Sequence, residues 1–216
     1  MSSNSLAIIP VRSLTTGKSR LAGAVSPETR RDLTKRMLAI TLKACRDSGA
    51  VEQILLISPD SQALAFAHGL DHEIIPIRQH ASRPGLIPAL DQARHVSMVN
   101  QFETLLILFA DLPMVNGQDV AALVEAPAQI AIAPDQNRIG TNGLVLRRDP
   151  IDLGEFRFRF GVASFRAHVE EARRFGIEPA VLEQPGLAFD LDTPDDLGNL
   201  ITLDTTFMSR LRESAS

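Results

Sequence analysis

The apolar runs of this chain are continuous, not alternating, and that limits the folds open to it. Residues 6–11 (LAIIPV), 53–58 (QILLIS) and 104–109 (TLLILF) put apolar side chains on both faces of an extended segment. Strands of that kind must be covered on both sides, as in a parallel sheet held between helix layers. The stretches between them carry helical signals. Ser26-Pro27 reads as an N-cap and first helical residue, Leu33, Met37, Ile40, Leu42 and Ala44 mark an apolar face, and Gly49 stops the helix. Further helices are expected over 59–68, 86–98 and 118–125, and further strands at 73–77, 129–133 and 144–147. The βαβαβ order predicts an α/β fold with a mostly parallel central sheet flanked by helices.

Towards the C-terminus, residues 156–160 (FRFRF) alternate as an edge strand with one apolar face would. A helix over 164–175 and a strand near 179–182 follow. Thr193-Pro194 opens the last firm helix, with Asp196 three residues beyond the cap. At 216 residues one domain is expected. We divide the chain into a flexible N-terminus (1–5), a single domain (6–202) and a partly helical tail (203–216).

Composition removes several function classes. A net charge of −4 opposes sequence-independent nucleic-acid binding, which needs a basic surplus. Trp and Tyr are absent, so base stacking would fall to Phe alone. Cys45 is the only cysteine, which excludes an intramolecular disulfide and a cysteine-built zinc cage; its place in a helical pattern reads as packing. The first apolar stretch has no preceding Lys or Arg and is too short for a signal peptide or membrane span, so a cytoplasmic protein is expected. The five histidines lack ligand spacing, and no serine sits in a GxSxG elbow.

In open α/β sheets ligands bind outside the carboxyl ends of the strands, so the residues just after each apolar run carry the information. After the first run comes Thr15-Thr16-Gly17-Lys18-Ser19-Arg20. A P-loop would need a glycine at position 12, which holds Arg12, so that motif fails on spacing. Arg12, Lys18 and Arg20 can still neutralise a triphosphate, or form an ordinary solvated basic loop. Asp111 follows the 104–109 run and is placed either to hold Mg²⁺ against a nucleotide or to cap a turn. Asp190 and Asp192 lie two apart in an extended segment, hence on one side of it, as metal ligands or as the entry to a helix. Gly140-Thr141-Asn142-Gly143 reads as a ligand-approach loop or a hairpin turn. Gly161 breaks the chain before Ser164, which begins a helix as an anion site or a simple cap.

These places form one ordered pattern: LAIIPVRSLTTGKSRLA from Leu6, Ala110-Asp111-Leu112-Pro113, Gly140-Thr141-Asn142, Phe160-Gly161 with Ser164, Phe165 and His168, and DLDTPDDL from Asp190. In this the chain resembles the phospholactate and phosphoenolpyruvate guanylyltransferases of coenzyme F420 synthesis. The resemblance implies a GT-A-like, Rossmann-like nucleotidyltransferase fold. It implies transfer of GMP from GTP to phosphoenolpyruvate, 3-phosphoglycerate or 2-phospholactate, with Mg²⁺ as cofactor and pyrophosphate as leaving group. By it, Asp111, Asp190 and Asp192 fall on metal-binding acids, and Lys18, Arg20 and Asp111 on catalytic positions. Pro10, Arg12, Lys18 and Arg20, with Arg83 and Gly85 on the base side, fall on nucleotide-binding positions, and Thr141, Gly161 and Ser164 on acceptor-binding ones. Partners are then GTP and a small phosphorylated carboxylic acid, with no nucleic acid and no membrane; a homodimer and passage of product to the next enzyme are compatible. Two departures stand out: Val162-Ala163 replaces the family's usual Pro-Gly, and Ile87 stands where it tends to carry Asn. A nucleotidyltransferase for a sugar phosphate or molybdopterin-type acceptor, or a non-catalytic nucleotide-binding module, is the alternative.

Overall fold

The computed structural model describes residues 4–99, 102–149 and 152–209, without the side chains of 97–99. Its first half alternates strand and helix: β1 (Ser5–Pro10), α1 (Pro27–Asp47), β2 (Gln53–Ser58), α2 (Ser61–Leu70), β3 (Ile75–Arg78), α3 (Leu86–Val99), β4 (Thr104–Leu108) and α4 (Gly117–Val124). The second half contains β5 (Ile130–Pro134), β6 (Thr141–Arg147), α5 (Ser164–Arg174), β7 (Ala180–Val181), α6 (Pro185–Ala188) and α7 (Pro194–Leu203). The seven strands form one sheet in the order β3-β2-β1-β4-β6-β5-β7, in which β6 runs against its neighbours and the other described pairings are parallel. The expected α/β class and mostly parallel sheet are present.

The continuous apolar runs are explained by cover on both faces. Ala7, Ile9, Leu106 and Leu108 point into a core shared with Leu38 and Leu42 of α1, Ala63 and Ala67 of α2, and Leu123 of α4. Leu6, Ile8, Leu105 and Ile107 point the other way, into a core with Ala89, Leu90 and Ala93 of α3 and Ala172 of α5. Cys45 is fully buried in the first core. Burial pushes its thiol up to about 12, so it packs as a small apolar group. Both cap readings hold: Ser26 accepts from Thr29 N–H, and Thr193 and Asp196 form a capping box.

Several boundaries differ from the sequence reading. Asn4 C=O accepts from Glu103 and Thr104 N–H, so sheet contacts begin before residue 6. At the other end residues 204–209 pack on the domain, with Phe207 2% exposed in a third cluster with Leu21, Leu33, Met37 and Leu200, while the rest of the expected tail, 210–216, lies outside the described residues. Thr141 and Asn142 lie in β6, not in a loop, because the ladder with β5 continues past a bulge to Thr141. Residues 156–160 are not a strand. Their N–H groups find side chains in place of a neighbouring backbone: Arg157 N–H donates to Glu171 Oε1 (3.1 Å) and Arg159 N–H to His168 Nε2 (3.0 Å). Arg94 Nη1 donates to the carbonyls of Leu153 and Phe156, which fixes the start of this segment. Its apolar face is real, for Phe156 and Phe158 are buried in the second core. No described helix is long and apolar enough to cross a membrane.

Candidate active site

β1 leads to β2 on one side, while β4 pairs with its other side. The loops after β1 and β4 therefore diverge at a topological switch point, where open α/β sheets form their ligand crevice. A cleft of about 800 Å³ occupies this place. Pro10, Arg12, Lys18, Gly85, Asp111 and Asp192, all singled out in the sequence, line it.

The loop after β1 is held in shape before any ligand enters. Asp60, which caps α2 through Gln62 N–H, also accepts from Ser13 Oγ and Leu14 N–H, both at 3.0 Å. Burial opposes ionisation of Asp60, but the bonds from Leu14, Gln62 and Ser13 outweigh it and hold its carboxyl below the usual range. Ser13 Oγ in turn accepts from Thr15 and Thr16 N–H. Gly17 passes so close to Ser13 that a Cβ would lie 2.8 Å from the Ser13 carbonyl oxygen. Buried Leu14 and Leu21 anchor the loop on either side of Lys18. Lys18 itself is left-handed (φ 54°, ψ 39°), a conformation that costs a non-glycine residue about 1–2 kcal/mol. That backbone aims its side chain inward.

Lys18 Nζ donates to Asp111 Oδ2 at 2.9 Å and to Asp192 Oδ1 at 2.8 Å, with its side chain only 8% exposed. Burial alone would lower the pKa of this ammonium; the two carboxylates more than offset that and raise it. Asp192 reaches the site because Leu191 N–H donates to Asp111 C=O (3.0 Å) and buried Leu191 turns away into the third cluster. Asp196 Oδ2 accepts from Asp192 N–H and Thr193 N–H, which seats the segment on the start of α7. Arg20 is exposed and approaches Asp192 only at 3.5 Å.

Asp190 is half-buried beside these acids. Burial first, then the charges of Asp111 and Asp192, push its carboxyl up to about 6. Among the described residues no three His, Cys, Asp or Glu side chains converge as a ready-made metal cage. The acids nevertheless suit a divalent cation. Asp111 and Asp192 already direct oxygens at one cationic atom, and Asp190 lies close enough for their charges to add to the effect of its burial. Mg²⁺ asks for one or two carboxylates, completed by phosphate oxygens and water.

Arg83 does not line the cleft, although Gly85 (φ 107°) does. Thr141, Gly161 and Ser164 also lie outside its lining. Thr141 and Ser164 are 4% and 3% exposed. They stand behind one wall, connected to it by rings: Phe109 of the cleft meets Phe160 edge-on (centroids 5.2 Å apart), and Phe160 meets His168 (4.5 Å). His168 Nδ1 lies 3.0 Å from Thr141 Oγ1. Because Nε2 accepts from Arg159 N–H, the proton is on Nδ1 and Thr141 Oγ1 accepts it. Burial, opposed by Glu171 and aided by Arg159, lowers His168 to about 4. Ser164 is not the cap of α5. Ala163 is, at φ 55°, and Ser164 is the first helical residue. Gly161 is also at positive φ (139°), and Val162 between them is 99% exposed.

The sequence reading missed Gln79 and Asp60, each just past a strand end, the position rule that found Asp111. It also missed Phe109, which read only as the end of an apolar run.

The chain matches the family model described as "Guanylyl transferase CofC like" over residues 5–210. It is 39% identical to a phosphoenolpyruvate guanylyltransferase from Rubrobacter xylanophilus, over 90% of this chain and 92% of that protein. It is 34% identical to a 2-phospho-L-lactate guanylyltransferase from Methanothermobacter thermautotrophicus, over 90% and 83%. Among solved structures, a nucleotidyl transferase from the same organism superposes with a TM-score of 0.63 at 13% identity, covering 95% of this chain and 98% of that one. At that identity the likeness speaks for the fold, which is the GT-A-like nucleotidyltransferase fold.

Proposed function

This chain belongs to the CofC-like guanylyl transferase family and is a nucleotidyltransferase, and from that premise we propose that it transfers GMP from GTP to the phosphate of a phosphorylated three-carbon acid. Phosphoenolpyruvate, 2-phospholactate and 3-phosphoglycerate are the acceptors that share this chemistry. The observation that carries the reading is Lys18 held between Asp111 and Asp192 in the lining of the switch-point cleft.

An acceptor phosphate oxygen attacks the α-phosphorus of GTP. The new bond is phosphorus to acceptor oxygen, and the bond from the α-phosphorus to the bridging oxygen breaks, releasing pyrophosphate. A phosphate monoester is already ionised near neutral pH, so no general base is needed. The difficulty is the meeting of two anions, and the protein's part is positioning and charge neutralisation. Lys18 and Arg12 bring positive charge to the triphosphate, and the bonds through Ser13 and Asp60 keep their loop from reorganising during the reaction. Asp111 and Asp192, with Asp190 beside them, would hold Mg²⁺, which supplies further neutralisation at the phosphate oxygens. Phe160, backed by His168 and Thr141, supports the loop through Gly161, which the family resemblance assigns to the acceptor. The product would pass to the next step of F420 assembly in the cytoplasm.

The test is pyrophosphate release with Mg²⁺, each nucleoside triphosphate in turn, and each of the three phospho-acids. Release is expected with GTP and at least one acid, and a loss of at least about 100-fold in Asp111→Asn, the scale of removing a preorganised charge contact. No release with GTP and any of the three acids would refute the proposal.

A further inference from the structure

The cleft has two chemically different ends. Lys18, Asp111 and Asp192 make one, and Ile57, Pro59, Pro84, Leu86 and Ala89 line the other. A nucleotide whose triphosphate meets the charged end must lay its base against the apolar one. In that wall stands one buried polar side chain, Gln79, directly after β3 and 8% exposed.

The orientation of its amide is settled by its partners. Nε2 donates to Arg83 C=O at 2.9 Å and to Gly85 C=O at 2.8 Å. Carbonyl oxygens only accept, so the nitrogen must face them and Oε1 must face the other way. The backbone N–H of Gln79 is spent on Ser58 C=O (3.0 Å). Oε1 has no partner among the described residues and is not among the sealed, unpaired polar atoms. A fixed acceptor in an apolar wall selects a ring edge that donates. Guanine offers two adjacent donors, N1–H and the 2-amino group. Adenine offers an unprotonated N1 and no 2-amino group on that edge.

We propose that Gln79 is a specificity-determining residue, its Oε1 accepting from the N1–H and 2-amino edge of guanine while its Nε2 holds the loop through Arg83 and Gly85 that closes over the base. This rests on the reading of GTP as donor nucleotide.

Gln92 provides the control. Its Nε2 donates to Arg78 C=O and its Oε1 accepts from His80 N–H, both at 2.9 Å, so it braces the same loop from α3. The experiment measures kcat/KM for GTP and ATP in wild type, Gln79→Met and Gln92→Met, with melting curves to establish folding. Gln79→Met is expected to lower the GTP-over-ATP preference about tenfold, the scale of one lost hydrogen bond, whereas Gln92→Met should weaken both nucleotides alike. Should Gln79→Met not fold, Gln79→Asn, with its amide drawn back by one methylene, carries the same expectation. An unchanged preference in the Gln79 variant, or an equal fall in Gln92→Met, would overturn the assignment and leave GTP use intact. A wild-type enzyme that turns over another nucleotide and not GTP would remove both readings.

Discussion

Buried His168 makes the stability of this protein depend on pH in a way that can be worked from its contacts. The ring is 0% exposed, pairs with Thr141 Oγ1 and Arg159 N–H at 3.0 Å each, and packs on Phe160. Its pKa falls from 6.5 to about 4, mainly through burial. The unfolded chain therefore takes up this proton first as pH drops. Stability from the neutral ring is complete above pH 6.5 and is lost as pH falls towards 4. The full gap corresponds to about 3 kcal/mol, of which about 2.5 kcal/mol is lost by pH 4.5. Carboxylates also titrate below pH 6, so the informative quantity is a difference: urea unfolding of wild type and of His168→Gln, each at pH 7.5, 6.0 and 4.5. Gln can pair but cannot titrate. Wild type should lose about 2–3 kcal/mol more than the variant across that span, and an NMR titration of the ring C–H protons should show no midpoint near 6.5. Parallel losses, or a midpoint near 6.5, would refute the reasoning. Because protonation would also expel Nε2 from its bond to Arg159 N–H, KM for the phospho-acid should rise only as pH approaches 4, where the folded ring takes up its proton.

Asp60→Ala removes the α2 cap and two bonds to the loop after β1 together. We expect a stability loss of about 1–2 kcal/mol in urea and a rise of about tenfold in KM for GTP; an unchanged KM would show that the loop needs no brace. Ala163→Gly should go the other way. At φ 55° an alanine bears a left-handed cost that glycine avoids, so the variant should be more stable by up to about 1 kcal/mol. A lower melting temperature would mean that glycine's greater freedom in the unfolded chain outweighs that strain.

The parts of the site that could be read from the sequence are those encoded by local chemistry. Lys18, Asp111 and Asp192 each follow a strand end or precede a cap, and those positions are marked by apolar runs and by Thr193-Pro194. Gln79 follows a strand end too, but β3 alternates between half-buried and exposed residues, which blurs where it stops. The segment 156–160 has a strand's alternation without a strand's partner, since Glu171 and His168 supply the acceptors. No periodicity reveals that substitution. Ala163 stands where the family resemblance leads one to expect glycine, and the chain takes a left-handed backbone there all the same.

By itself the sequence determined a two-sided parallel sheet, the helix starts at Ser26 and Thr193, and a basic loop at the end of the first strand. The tertiary structure decided which of these loops meet. Lys18 joins partners 93 and 174 positions away, and does so because β4 pairs beside β1 and Leu191 hydrogen-bonds to Asp111. Burial periodicity tells a segment which face to hide. It carries no information on which strand lies alongside, so the loop with Lys18 became one side of an acid-and-ammonium clamp only when the strand order placed it there.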